Sequence, residues 1–160
     1  MEVNKIISHA LQSMPPSKRQ KAFAKDTSKL IHMGLNENNY GMSPKAVAAL
    51  EESMAGSHFY PDFAAVLLKQ KVAEQYGLKA ENVLTGAGSS AMIDMIGLTF
   101  LDDGDEVLFS APTYGAFADM AYLNGGVPVS VPVTEEQKFN LSAMKEKIGE
   151  KTKIVVICNP

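Results

Sequence analysis

The sequence predicts an α/β fold, in which a mostly parallel sheet has helices on both faces. Beyond Glu81, short apolar runs alternate with helix-like segments, which is the pattern typical of a parallel sheet. Three of the apolar runs are followed by small or polar residues, in the segments "TGAGSS", "SAPTY" and "CNP". Ligands bind at the carboxyl ends of the strands in such sheets, so we expect a site formed by these segments.

The first half of the chain predicts an arm and two helices. Residues 1–43 are expected to form an N-terminal arm or small-domain segment, and residues 44–160 the large domain. Ser43 and Pro44 form a helix start, and the next helix is expected between a cap at Asp62 and a stop at Gly77. The apolar faces of the two helices are Val47, Leu50 and Met54, and then Phe63, Val66, Leu67, Val72 and Tyr76.

The second half predicts four strands separated by three helices. Prolines in "VPVSVPV" favour an edge position for the third strand, and Asn140 is expected to cap the last helix. The last strand, at 154–158, is expected to be buried. The strands are predicted at 83–85, 106–112, 127–133 and 154–158, and the helices at 90–100, 114–123 and 140–149.

Composition and charge exclude several classes of protein. The formal net charge of −3 in 160 residues provides no electrostatic reason to expect binding to nucleic acid or to an acidic membrane. The N-terminus lacks the pattern of a signal peptide, and no apolar stretch approaches the ~20 residues that span a bilayer. The single cysteine, Cys158, fits a cytoplasmic protein. His9, His32 and His58 lack the spacing of zinc ligands, so no metal is expected.

The segment "VLTGAGSSAMI" predicts a strand, a tight turn and a helix N-terminus, an arrangement that can bind a phosphate group. A nucleoside triphosphate is excluded, because its loop needs a lysine and neither lysine nor arginine lies between Ala80 and Pro132. A dinucleotide stays possible, since Gly86, Gly88 and Ala91 match its G-x-G-x-x-[G/A] pattern. The expected acidic residue at the end of the second strand is missing, however.

Pyridoxal phosphate is a third possibility for the same segment. The hydroxyls of Ser89 and Ser90, at a helix N-terminus, could bind its phosphate, and the ring of Tyr114 could cover a flat cofactor. Ordinary N-capping by the serines and core packing of the tyrosine explain the same residues equally well. The residues alone therefore leave both the cofactor and its presence open.

Five segments together resemble a known family. "LNENNYGMSP", "FYPDF", "LTGAGSSAMID", "APTYGAF" and "CNP" occur in this order over residues 30–160. They are similar to the fold-type I pyridoxal-phosphate aminotransferases of class I/II, and most closely to the histidinol-phosphate aminotransferase branch. Asn39 stands where that branch has a proline, and "GSSA" stands where it often has "GADE". The resemblance implies that pyridoxal 5'-phosphate is the cofactor.

The resemblance also implies roles for individual residues. Gly88, Ser89 and Ser90 match the turn that binds the cofactor phosphate, and Tyr114 matches the aromatic residue stacked on the pyridine ring.

Three residues upstream match positions with other roles. Tyr60 matches a tyrosine that reaches the phosphate of the neighbouring subunit, which implies a homodimer. Asn36 and Tyr40 match positions that face the substrate.

The implied reaction transfers an amino group between an amino acid, or an amino-alcohol phosphate, and a 2-oxo acid. In the family the Schiff-base lysine lies beyond the segment that "CNP" matches, so we expect these residues to be the N-terminal part of the enzyme and inactive alone. Lys69, Lys71 and Lys79 are interpreted as surface lysines. The alternatives are a pyridoxal-phosphate lyase or decarboxylase of the same fold, a dinucleotide-binding module, and a non-catalytic fragment that assembles with a partner chain.

Overall fold

The computed structural model describes residues 7–15, 31, 33 and 36–159. The chain divides into two compact units, one of residues 17–84 and one of residues 1–16 and 85–160. The helices are α1 (His9–Ser13), α2 (Pro44–Ser53), α3 (Val66–Tyr76), α4 (Gly88–Phe100), α5 (Ala116–Leu123) and α6 (Leu141–Lys147), and the strands are β1 (Glu106–Ala111), β2 (Val127–Pro132) and β3 (Thr152–Val156).

The second unit contains a parallel three-stranded sheet in the order β2-β1-β3. In the register of the first pair, Glu106 lies opposite Val127 and Ala111 opposite Pro132. Helices α4 and α5 contribute to one apolar cluster on β1 and helix α6 to another. This arrangement confirms the predicted α/β fold and the edge position of the third predicted strand.

The core forms on both sides of β1, because side chains alternate between the two faces of a strand. Val107 and Phe109 pack with Met120 of α5 on one side. Leu108 packs with Met144 of α6 on the other side. Val107 and Leu108 are fully buried, and such burial stabilises by roughly 1.5–3 kcal/mol for each side chain. The central strand is therefore the most buried strand of the sheet, and the loop that contains Tyr114 follows it.

Local capping follows the sequence. The Ser43 hydroxyl accepts a hydrogen bond from the Ala46 N–H, and the Asn140 side chain accepts one from the Ala143 N–H. Gly77 ends α3 in the left-handed conformation, with φ of 65°. These predicted caps are confirmed. They could be predicted because each depends only on residues within one turn of the helix.

The start of α3 differs from the prediction. The helix begins at Val66, because Ala65 adopts a left-handed conformation with φ of 48°. Asp62 lies before this turn, and its carboxylate accepts hydrogen bonds from the N–H groups of Ala64 and Val66. The carboxylate therefore stabilises the turn that precedes the helix and reaches the first helical N–H.

One strand prediction is wrong, and another differs from the structure in its bounds and in its burial. Residues 83–85 pair with no strand among the described residues, and a strand needs a hydrogen-bonded neighbour. The last strand runs from Thr152 to Val156, at an edge of the sheet. Its residues alternate between half-buried and exposed, and Val155 is 46% exposed, so it is not the buried strand expected.

The unit of residues 17–84 has few buried side chains among its described residues. Ala73 of α3 is 5% exposed and Val83 is 9% exposed. Large apolar side chains of both helices, such as Leu50 and Leu67, are more than half exposed. No helix in the described ranges is long and apolar enough to span a membrane.

Candidate functional site

Helix α4 begins at a turn that requires glycine. Gly88 has φ of 79°, a left-handed conformation that residues with a Cβ rarely adopt. Its N–H donates to the carbonyl oxygen of Gly86, at 2.8 Å. A Cβ built on Gly88 would have no atom within 4 Å, so the turn opens onto free space. The backbone at this helix terminus is therefore accessible to a ligand.

The N-terminus of α4 has the features of an anion site. Ala87 occupies the N-cap position, and no side chain caps the helix. The first N–H groups of a helix have no intrahelical partner, and the helix dipole adds partial positive charge there. The first turn contains no acidic residue, and Ser89 and Ser90 are both exposed. The structure therefore shows no N-capping of α4 by Ser89 or Ser90.

Ser90 and Tyr114 are brought together by the fold. The Ser90 Oγ and the Tyr114 hydroxyl oxygen lie 3.0 Å apart and form a hydrogen bond across 24 residues of sequence. Tyr114 follows the carboxyl end of β1, and its ring makes an edge-on contact with Phe117, with centroids 6.0 Å apart. The tyrosine is 42% exposed, so core packing does not account for its position. Two of the three predicted segments therefore meet.

The third predicted segment follows β3. Because β3 pairs with β1 in parallel, the carboxyl ends of both strands lie at the same edge of the sheet. Cys158 is half-buried and Asn159 is exposed just beyond this end. Pro160 lies outside the described residues, so the full "CNP" segment is not placed by the structure.

The other three predicted site residues belong to the unit of residues 17–84. Tyr40 is fully exposed, Tyr60 is 88% exposed, and Asn36 is exposed with φ of 52°. Their predicted roles toward a substrate and a neighbouring subunit stay predictions. Leu35, the first residue of the segment "LNENNYGMSP", lies outside the described residues.

Asn38 organises the turn that carries Tyr40, a role that the sequence interpretation missed. Its side-chain nitrogen donates to the Gly41 carbonyl at 2.7 Å, and its side-chain oxygen accepts from the Tyr40 N–H. The signal was present, since asparagine followed by glycine three residues later is typical of such turns. The contact between Ser90 and Tyr114 had no comparable local signal.

The chain is similar to known proteins over most of its length. The family described as aminotransferase class I and II matches residues 28–160. Histidinol-phosphate aminotransferase 2 of Carboxydothermus hydrogenoformans is 34% identical over 125 residues, which are 78% of this chain and 34% of that protein. An aromatic amino acid aminotransferase of Corynebacterium glutamicum is 36% identical over 125 residues, covering 78% of this chain and 37% of that protein.

Solved structures share the fold. The crystal structure of histidinol-phosphate aminotransferase from Sinorhizobium meliloti, in complex with pyridoxal-5'-phosphate, superposes with a TM-score of 0.76 at 21% identity. The match covers 91% of this chain and 40% of that one. The chain spans about a third of the length of the curated relatives that it matches.

Proposed function

The chain belongs to the family of class I and II aminotransferases, and we propose that it forms the phosphate-binding part of a pyridoxal-phosphate-dependent aminotransferase. One observation carries the proposal. Ser90, in the first turn at the uncapped N-terminus of α4, forms a hydrogen bond with the aromatic residue Tyr114. A phosphate-binding terminus beside an aromatic ring is what a phosphorylated, flat cofactor requires.

The described residues fit the cofactor phosphate. The left-handed Gly88 leaves open space at the helix terminus, and the exposed hydroxyls of Ser89 and Ser90 can donate to phosphate oxygens. The first turn carries no acidic side chain that would repel the anion. The match in charge, donors and space supports pyridoxal 5'-phosphate as the ligand.

We propose roles for the chain's own residues from these positions. The backbone N–H groups of the first turn of α4 and the hydroxyls of Ser89 and Ser90 would bind the phosphate, and Tyr114 would cover one face of the ring and exclude water from it. When bound, the cofactor supplies a reactive carbonyl group and an electron-withdrawing ring for amino-group chemistry. The chain would thereby orient the cofactor and hold its phosphate.

No lysine of the described residues is assigned a chemical role. Lys71 forms an ion pair with Glu74 at 2.9 Å with its side chain 80% exposed, and Lys79 is exposed. Lys69 is half-buried, which differs from the exposed surface position that the sequence predicts for it. We propose that the lysine bonded to the cofactor comes from another part of the enzyme, as the resemblance to the family implies.

We propose that the enzyme transfers an amino group from an amino acid, or an amino-alcohol phosphate, to a 2-oxo acid. The names of the relatives suggest histidinol phosphate and phenylalanine as the first donors to test. The intact protein, loaded with pyridoxal phosphate, is incubated with each donor, with and without 2-oxoglutarate. Glutamate formation that requires the 2-oxo acid supports the proposal.

Other results of this assay, or of a separate measurement of ligand binding, would contradict the proposal. Release of carbon dioxide, or cleavage of the donor without a 2-oxo acid, would indicate a decarboxylase or a lyase. Tight binding of NADH without affinity for pyridoxal phosphate would indicate a dinucleotide-binding module. Each of these outcomes would replace the aminotransferase proposal.

The remaining assignments are also proposals. We propose a cytoplasmic homodimer in which the exposed Tyr60 reaches the phosphate of the neighbouring subunit, with residues 1–43 as an arm that brings Asn36 and Tyr40 to the substrate. Light scattering of the intact protein measures the oligomeric state. A monomer would contradict the homodimer. Equal cofactor affinities of the unmodified protein and its Tyr60→Phe variant would contradict the role of Tyr60.

A further inference from the structure

The hydrogen bond between Ser90 and Tyr114 connects the proposed phosphate site to the residue that is proposed to stack on the cofactor ring. Ser90 lies in the first turn of α4, where the phosphate is proposed to bind, and Tyr114 lies after β1, where the ring is proposed to stack. Their hydroxyl oxygens are 3.0 Å apart, and either atom could be the donor. The direction of this bond therefore depends on what else the two hydroxyls contact.

A bound phosphate determines which of the two hydroxyls donates in this hydrogen bond. Above the second pKa of a phosphate ester, near 6, all its terminal oxygens are acceptors. A serine hydroxyl has one hydrogen, so a Ser90 that donates to the phosphate can only accept from Tyr114. The tyrosine hydroxyl must then donate to Ser90 Oγ. The phosphate, Ser90 and Tyr114 would form one directed chain, in which each hydrogen bond polarises the next.

We propose that Ser90 is a positioning residue that couples the ring of Tyr114 to the phosphate group, an inference that rests on the proposed function. Through Ser90, phosphate binding fixes the direction of the bond and holds the phenol ring at the terminus of α4. The hydroxyl of Tyr114, and not only its ring, then contributes to binding of the phosphorylated cofactor. A phosphate-free cofactor would not gain from this hydroxyl.

The first test measures dissociation constants at pH 8 for pyridoxal phosphate and for pyridoxal, which lacks the phosphate. The variants of the intact protein are Ser90→Ala, Tyr114→Phe and their double mutant. Tyr114→Phe is expected to weaken binding of pyridoxal phosphate roughly two- to tenfold, the effect of one hydrogen bond, and to change binding of pyridoxal less than twofold. In the Ser90→Ala background the same substitution should have no further effect.

Ser89→Ala provides the matched control, because Ser89 is the adjacent exposed serine of the same helix turn. In that background Tyr114→Phe should retain its full effect, since Ser90 is still present. Ser90→Thr should retain the coupling, because it keeps the hydroxyl. Equal losses for both ligands, or additive effects of Ser90→Ala and Tyr114→Phe, would overturn the coupling.

A second measurement is independent of the cofactor. Tyrosine labelled with 13C at Cζ reports the hydrogen bonding of each phenol by NMR, and the signal absent from Tyr114→Phe identifies Tyr114. Addition of inorganic phosphate should shift this signal in the unmodified protein and in Ser90→Thr, but not in Ser90→Ala. A shift that persists in Ser90→Ala would overturn the proposal.

The two measurements separate the coupling from the proposed function. Failure of the unmodified protein to bind pyridoxal phosphate would contradict the proposed function, while the phosphate titration would still decide whether Ser90 links Tyr114 to an anion. Normal cofactor binding without coupling would leave the aminotransferase proposal intact and overturn this inference alone.

Discussion

Replacement of Gly88 by alanine tests whether the turn before α4 is a ligand site. Gly88 has φ of 79°, and a Cβ there would meet no atom within 4 Å. Gly77, at the end of α3, offers a matched control, because its φ is 65° and its Cβ position is equally open. Both substitutions introduce the same backbone strain, and only one alters the proposed phosphate site.

The magnitude follows from the backbone conformation. A left-handed conformation costs a residue with a Cβ roughly 1–2 kcal/mol, and reduced freedom of the unfolded chain returns ~0.4–1 kcal/mol. Each variant should therefore lose about 1 kcal/mol of stability, or roughly 2–4 °C in Tm for a domain of this size. Neither substitution produces a clash that would add to this loss.

Cofactor affinity should separate the two variants. The Cβ of Gly88→Ala would occupy the open space where we propose that the phosphate binds, so we expect at least ~10-fold weaker binding of pyridoxal phosphate than in Gly77→Ala. Calorimetry measures Tm, and equilibrium dialysis measures the dissociation constant. Equal affinities of the two variants would refute the assignment of the phosphate site, and an unchanged Tm in both would refute the strain argument.

Two further predictions concern the packing that supports the site. Gly97→Ala places a Cβ 2.5 Å from Asn124 Nδ2 and 2.6 Å from Met120 Cγ, so crowding of ~1–3 kcal/mol should exceed the ~1 kcal/mol gain in helix propensity. Urea denaturation should show this loss, while Gly149→Ala, with no neighbouring atoms, should show little change. Asn140→Ala removes the side-chain cap of α6 and should cost about 1 kcal/mol in the same assay, and an unchanged midpoint would contradict the capping role.

Local features of the fold were predictable from the sequence. The caps at Ser43 and Asn140 and the stop at Gly77 depend on the conformations that these residue types favour, so neighbouring residues suffice to identify them. The prolines of β2 indicated an edge strand, because proline lacks the N–H that a central strand needs. The predicted phosphate turn also begins a helix, as expected.

The sequence-based predictions failed where sheet pairing or an unusual backbone conformation determines the local structure. Residues 83–85 carry a strand-like pattern, but their state depends on a neighbouring strand. The last strand is apolar enough to read as buried, yet its edge position leaves Val155 exposed. Ala65 adopts a left-handed conformation that alanine disfavours, so no propensity argument could have placed the start of α3 at Val66.

The sequence by itself determined the family, the α/β class and the residue types of a phosphate-binding turn, since these follow from motifs and from apolar periodicity. Only the tertiary structure decided that Ser90 contacts Tyr114 and that the helix terminus beside them is uncapped. The two residues are separated by a helix and a strand, and their distance is set by how α4 and α5 pack on β1. No pattern within the chain encodes that distance, because packing of the whole sheet unit determines it.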